Sequence, residues 1–352
     1  MTDGPTPDAV ATAAPQGAER FLEVRGLKKY FPVKGGVLNR TIAHVQAVDD
    51  ISFDVAKGET LGIVGESGCG KSTTARLLMR LIEPDSGTVH FDGRVIGASN
   101  GIPVREMRRQ MQMVFQDSYS SLNARLPVEA TVAFGPIVHG VSRPEARERA
   151  RRLLYDVGLD ASRFMKRYPH ELSGGQRQRV NVARALALQP RVLILDEAVS
   201  ALDKSVEAQV LNLLLDLKKE YDLTYVFISH DLNVVQYVSD RVLVMYLGQV
   251  VEIGPVDEIY ANPRHPYTRA LLSSRPSMDP ERRITEPPLS GDPPNPINPP
   301  SGCRFHTRCA FANEVCARVT PVLSTFGDDA RHEVACHMMS PGSGHPDAPA
   351  RA

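Results

Sequence analysis

The chain has 352 residues, with 41 basic and 41 acidic side chains and 42% hydrophobic residues. That length holds one large domain or two ordinary ones, and the balanced charge excludes a general electrostatic grip on nucleic acid. No apolar run is long enough to span a bilayer, and the N-terminus has Asp3 and no apolar stretch of the kind an export signal needs, so the expectation is a soluble protein working in the cytoplasm.

Residues 1–20, rich in Ala, Pro, Gly and Thr, read as a disordered tail. A first strand begins in the Phe21 to Arg25 stretch, and Pro32 to Thr41 reads as a basic, Gly-containing loop. From Ala43 to Val55 apolar residues alternate at Val45, Val48, Ile51, Phe53 and Val55, which predicts a small antiparallel sheet. An aromatic just before it could stack on a purine base, with Phe31 the first choice and Tyr30 the second.

Next come an apolar run, Leu61 to Val64, then Gly65-Glu66-Ser67-Gly68-Cys69-Gly70-Lys71-Ser72, then Thr73 and a helical pattern. Strand, Gly-rich loop and helix in that order are the context of a phosphate-binding P-loop. The glycines let backbone N–H groups turn inward on phosphate oxygens, and the helix start adds its own N–H groups and dipole. Lys71 can reach the β- and γ-phosphates of a nucleotide, and the Ser72 hydroxyl can sit on Mg²⁺. Cys69 reads as a small filler within the loop.

Thr88 to Gly93 reads as a strand and tight turn. Met113 to Phe115 reads as a short buried strand ending at Gln116, whose carbonyl oxygen could ligate Mg²⁺ or hold an attacking water. Residues 119–185 then read as a helical subdomain inserted into an α/β core. Near its end Leu172-Ser173-Gly174-Gly175-Gln176 opens a helix and makes a second N-terminal anion site without a lysine, suited to act as a lid on a nucleotide bound elsewhere. Val192 to Leu195 is a buried strand ending in Asp196 and Glu197. Beyond a strand's C-terminal end, Asp196 can hold Mg²⁺ through its water shell, and Glu197 can orient or deprotonate the hydrolytic water. Ser200 to Asp203 can cap the following helix. Thr224 to Ile228 forms another strand, after which His230 could contact a γ-phosphate. A last strand, Arg241 to Met245, completes the core by about residue 255.

In this order, the P-loop at 65–72, Gln116, the signature Leu-Ser-Gly-Gly-Gln at 172–176, the run 192–196 with Glu197, the loop 200–203 and His230 closely resemble an ATP-binding cassette ATPase. The fold class that this implies is α/β: an ABC-type P-loop NTPase core at 21–255 with an N-terminal antiparallel β-subdomain and the inserted helical subdomain. Further stretches resemble the oligopeptide/dipeptide uptake branch: Phe31 to Gly36, Phe115-Gln116-Asp117, Glu197 to Leu202, Asn262-Pro263 and His265-Pro266-Tyr267-Thr268. The resemblance then extends through a small cysteine-containing C-terminal domain at 256–340, with a disordered tail at 341–352. One departure is Ala198, where the family usually has proline. It relaxes a φ constraint beside Glu197 and removes no catalytic atom.

The resemblance implies ATP and Mg²⁺ as ligands and a head-to-tail pair with a paralogous ATPase subunit. Ser173, Gly174, Gly175 and Gln176 would act there on the partner's ATP. It also implies two membrane permease subunits, contacted around residues 117–126, a solute-binding protein acting indirectly, and a place on the cytoplasmic face of the membrane. Nickel-chelate import is the alternative solute class, and a non-transport cassette ATPase in DNA repair or translation the alternative activity.

After a Pro-rich connector at 276–300, the tail carries Cys303, Cys309, Cys316 and Cys336. Four clustered cysteines in a cytoplasmic protein read as metal ligands. Zinc sites usually pair cysteines two to four residues apart, and these intervals are wider, so a [4Fe–4S] cluster is preferred over Zn²⁺. His306, His332 and His337 could replace a cysteine, though they read first as surface residues.

Overall fold

Residues 20–36, 39–275, 291–325 and 331–349 are described by the computed structural model. The expected N-terminal tail through residue 19, and 276–290 of the connector, lie outside them. The chain begins with a long antiparallel hairpin, Arg20–Gly35 (β1) against Arg40–Ala56 (β2), in which Val24 faces Phe53 and Leu27 faces Ile51. The loop expected at 32–41 is therefore mostly strand: Val33 pairs with Ala43 and Gly35 with Arg40. This end of the hairpin is half-buried or exposed, so its polar residues satisfy the ladder without showing an apolar alternation.

Thr60–Val64 (β3) leads through the Gly-rich loop into Lys71–Leu78 (α1). Ser86–Phe91 (β4) and Arg94–Val95 (β5) extend the hairpin into a four-stranded sheet in the order β2-β1-β4-β5. Val104–Gln110 (α2) and Met111–Val114 (β6) return the chain to the main sheet. The helical insertion follows as Val128–Val138 (α3), Arg143–Asp156 (α4), Ala161–Phe164 (α5) and Gly174–Leu186 (α6). Helix α4 starts where its sequence says it should, with Ser142 as cap and proline in the first turn.

Val192–Asp196 (β7), Lys204–Glu220 (α7), Thr224–Ile228 (β8), Leu232–Val238 (α8) and Arg241–Tyr246 (β9) complete the parallel core. Gln249–Pro255 (β10) turns back antiparallel, and Val256–Ala261 (α9) and Pro266–Ser273 (α10) follow. Beyond the connector lie Glu314–Arg318 (α11), Ser324–Thr325 (β11) and Glu333–Val334 (β12). The main sheet runs β11-β12-β10-β9-β3-β8-β7-β6.

The apolar strands are buried on both faces, as a covered parallel sheet requires. Leu193, Leu195, Tyr225, Phe227 and Val244 pack with the helical insertion. Their neighbours Ile194, Val226, Ile228, Ile63 and Leu243 pack against Leu22, Val24, Ile51 and Phe53 of the hairpin sheet and Leu77 and Leu78 of α1. Each such side chain contributes roughly 1.5–3 kcal/mol by leaving water.

The sequence places a small C-terminal domain at 256–340, and the structure ties that segment to the main sheet. Strand β12 pairs with β10, Glu252 opposite Val334, so the C-terminal segment adds strands to the main sheet. Its Tyr267 and Phe305 join the main core. Part of the connector is also tied down, since the Gln46 N–H donates to the Pro296 carbonyl at 3.0 Å. Residues 341–349, expected as a free tail, pack as well: His345 is buried and its Nε2 lies 2.9 Å from the Phe311 carbonyl oxygen.

Candidate active site

Strands β3, β6, β7 and β8 are parallel neighbours, so the residues that follow them share one edge of the sheet. The Gly-rich loop follows β3. Gly65 has φ +149°, and a Cβ there would stand 2.2 Å from the Met245 carbonyl oxygen; at Gly70, φ +109°, it would stand 2.2 Å from that of Ala47. No other residue type fits either position. Cys69 and Gly70 are buried while Ser67 and Gly68 are exposed, which leaves the crest of the loop open. Burial pushes the Cys69 thiol up, consistent with a filler.

The Lys71 ammonium is buried and donates to the carbonyls of Gly65 at 2.7 Å and Glu66 at 3.0 Å. Ser72 Oγ donates to Asp196 Oδ1 at 2.8 Å, joining the start of α1 to the end of β7. Thr73 is half-buried in the first turn of α1. Asp196 is buried, and burial raises its carboxyl against the pull of Ser72. A divalent cation at this pair would reverse that balance, so Ser72 and Asp196 fit an Mg²⁺ ion. Gln116 Nε2 donates to Glu197 Oε2 at 2.6 Å, and His230 Nδ1 lies 3.5 Å from the same oxygen. With the amide nitrogen spent on Glu197, the Gln116 carbonyl oxygen is the end left for a metal or water. Lys71, Ser72, Gln116, Asp196, Glu197 and His230 thus meet at one edge.

Ser173 to Gln176 forms a full capping box at the start of α6: the Gln176 N–H donates to Ser173 Oγ at 3.3 Å and the Ser173 N–H to Gln176 Oε1 at 3.0 Å. Ser173 is exposed, and Gly174 and Gly175 are half-buried, so the helix start faces outward. Phe31 sits half-buried in β1 opposite Val45, with Lys29 Nζ 5.7 Å from its ring centroid. Tyr30 is engaged elsewhere, donating to Asp49 Oδ1 at 2.6 Å; burial first, then Asp49, pushes its phenol up to about 12. Asp203 occupies the cap position of α7 without a side-chain hydrogen bond, so the expected cap there is positional only.

Cys303, Cys309, Cys316 and Cys336 line one small cavity together with His265, Phe305 and His345. Burial pushes the Cys303 thiol up to about 12 and that of Cys336 up to about 11. The cavity's accessible volume is about 10 Å³, barely that of one water. Among the described residues no three His, Cys, Asp or Glu side chains are placed to hold a metal ion. Four cysteine sulfurs on one cavity are donors of the type a thiolate-bound group needs, but the raised pKa values of Cys303 and Cys336 favour the protonated thiol and the geometry is not that of a formed site. His332 and His337, expected at the surface, are buried: His332 Nε2 lies 2.7 Å from Glu252 Oε1 and His337 Nε2 lies 2.8 Å from the Val319 carbonyl oxygen.

Residues 48–200 match the family described as ABC transporter, and residues 251–316 match the oligopeptide/dipeptide transporter C-terminal region. The chain is 49% identical over 328 residues to a probable peptide ABC transporter ATP-binding protein of Sinorhizobium fredii, covering 93% of this chain and 92% of the relative. It is 48% identical to the oligopeptide transport ATP-binding protein AppF of Bacillus subtilis, covering 94% of this chain and all of that one. Among solved structures, the ATP-binding cassette MJ0796, a dimer bound to ADP and Pi, superposes with a TM-score of 0.57 at 28% identity, over 67% of this chain and 99% of that one.

The chain belongs to the ABC transporter ATP-binding proteins, in their oligopeptide/dipeptide branch. No described helix is long and apolar enough to cross a membrane. What sequence reasoning missed in this ABC subunit lies around the loop. Arg308 pairs with Glu66, Arg304 with Asp49, and the Tyr267 hydroxyl accepts from the Glu66 N–H at 2.9 Å. No local signal marks these partners, which meet only through the fold. His345, in a Ser-Gly-His-Pro stretch, carried no signal either.

Proposed function

We propose that this subunit hydrolyses ATP to power import of di- or oligopeptides across the cytoplasmic membrane. The observation that carries the reading is the convergence of Lys71, Ser72, Gln116, Asp196, Glu197 and His230 at one sheet edge. The loop N–H groups and Lys71 hold the phosphates and stabilise charge as the γ-phosphoryl leaves. Ser72, Asp196 and Gln116 would hold Mg²⁺, which neutralises phosphate charge when bound. Glu197 takes the proton of the attacking water, and His230, beside it, couples the γ-phosphate to that carboxylate. Phe31 stacks on the adenine.

The outward start of α6, Ser173 to Gln176, supports a head-to-tail pair in which each subunit covers the other's ATP; a paralogous ATPase is the proposed partner. Two permease subunits would dock around residues 117–126, where Tyr119 is exposed, with a solute-binding protein delivering peptide from outside. We also propose that the cysteine cavity takes up a thiolate-bound group, a [4Fe–4S] cluster before Zn²⁺, in a structural role. Reconstituted with its partners in vesicles, the wild type is expected to take up labelled peptide only with ATP. Glu197→Gln is expected to abolish uptake; ATP-independent uptake would contradict the proposal.

A further inference from the structure

The C-terminal segment reaches the phosphate loop at Glu66 and braces the turn that holds its Cys69 end. Arg308 stands next to Cys309, and its side chain is 5% exposed. It meets both oxygens of Glu66, at 2.8 and 3.1 Å, the fork geometry that gives an arginine–carboxylate pair its directionality. Glu66 is also held through its backbone, its N–H donating to the Tyr267 hydroxyl at 2.9 Å. The carbonyls of Gly65 and Glu66 are the two that hold Lys71. The clamp therefore fixes the peptide groups on which the phosphate-binding lysine rests.

Arg304, from the same turn of chain, donates to Asp49 Oδ2 at 2.6 Å and to the Leu247 carbonyl. The adjoining Gly248 N–H donates to the Cys69 carbonyl at 2.9 Å, at the other end of the loop. Between the two arginines, Phe305 packs edge-on to Tyr246 and Tyr267 with ring centroids 5.3 and 5.4 Å apart. One short stretch, 304–308, thus holds Glu66 directly and the Cys69 end indirectly, through Leu247 and Gly248.

We infer that Arg308 is a positioning residue for the ATP site: by clamping Glu66 it holds the phosphate loop in its binding geometry, so that nucleotide affinity depends on the C-terminal segment. The inference rests on the reading of 65–72 as the ATP phosphate site. A staple that served stability alone would lower Tm and leave the affinity of folded protein unchanged. A clamp on the loop acts on ground and transition states alike, so it moves KM and not kcat.

The test uses the full chain in its assembly and reads binding of a fluorescent ATP analogue together with KM and kcat for ATP. Arg308→Gln is expected to weaken nucleotide binding and raise KM by about tenfold, the size of a lost charge-assisted pair, with kcat held within about twofold. Arg308→Lys, which keeps the charge without the fork, is expected to fall between. Exchanging the charges, Arg308→Glu with Glu66→Arg, is expected to bind better than either single variant. Arg318→Ala breaks the exposed pair with Glu314 in the same segment and is expected to change nothing. Wild-type affinity in folded Arg308→Gln, or no recovery in the charge exchange, would overturn the inference. If wild type and Lys71→Ala bound the analogue equally, the reading of 65–72 would fail first, which is a distinguishable result.

Discussion

Glu197, the proposed base, has an unusual backbone. Its φ of +47° lies in the left-handed region, which costs a residue with a Cβ of order 1 kcal/mol. Its N–H is anchored on the Ile228 carbonyl at 2.9 Å, so the neighbouring strand β8 maintains the turn that aims the carboxylate at Gln116 and His230. The buried Ala198 that follows leaves this geometry in place without a proline. His265 offers a residue-scale prediction for stability. Its Nδ1 accepts the Tyr267 N–H at 3.0 Å, and burial pushes its pKa down to about 4. The unfolded chain takes up the proton near the ordinary value of about 6.5. The neutral form thus stabilises the fold fully above pH ~6.5, and that contribution falls away as pH drops towards about 4, by roughly 3 kcal/mol in all. Urea unfolding at pH 7 and pH 5 reads the slope. His265→Asn, which can still cap α10, is expected to flatten it; an unchanged slope would exclude His265 as the source.

At the scale of elements, legibility followed burial and motif chemistry. The strands Leu61 to Val64, Val192 to Leu195 and Thr224 to Ile228 were readable because both their faces are apolar. The helix start at Ser173 was readable because a hydroxyl cap is local. The outer half of the β1–β2 hairpin was not, since Lys34, Arg40 and Thr41 pair in a strand whose sides face water. Likewise the strand β12, two residues long, takes its place from pairing with β10 and not from its own sequence. The capping box at 173–176 gives a prediction at this scale. Ser173→Ala removes one of its two hydrogen bonds and is expected to cost about 1 kcal/mol of stability, read as a lower urea midpoint at unchanged m-value. An unchanged midpoint would mean that the box is dispensable to the fold.

At the scale of the molecule, the catalytic edge and the C-terminal segment form one body. Glu252, buried at the centre of β10, accepts from the N–H groups of Arg264 at 2.7 Å and His265 at 3.0 Å and is paired with His332. The main sheet, the turn that caps α10 and the residue that leads into β12 therefore meet on a single carboxylate. The sequence could announce cysteines in this segment but not that they line one cavity beside the start of α10. Metal analysis with a visible absorption spectrum of anaerobically purified protein is expected to give four irons per chain and a broad absorption band; colourless protein with stoichiometric zinc would contradict the cluster.

The central claim is that Glu197 performs the proton transfer of ATP hydrolysis at the edge built by Lys71, Ser72, Gln116, Asp196 and His230. General-base catalysis of this kind is worth about 10²–10⁴-fold in rate. The most direct measurement is phosphate release and ATP binding by the purified assembly carrying Glu197→Gln. The account predicts ATP affinity like that of the wild type with turnover lowered at least about 100-fold. Hydrolysis at the wild-type rate would contradict it.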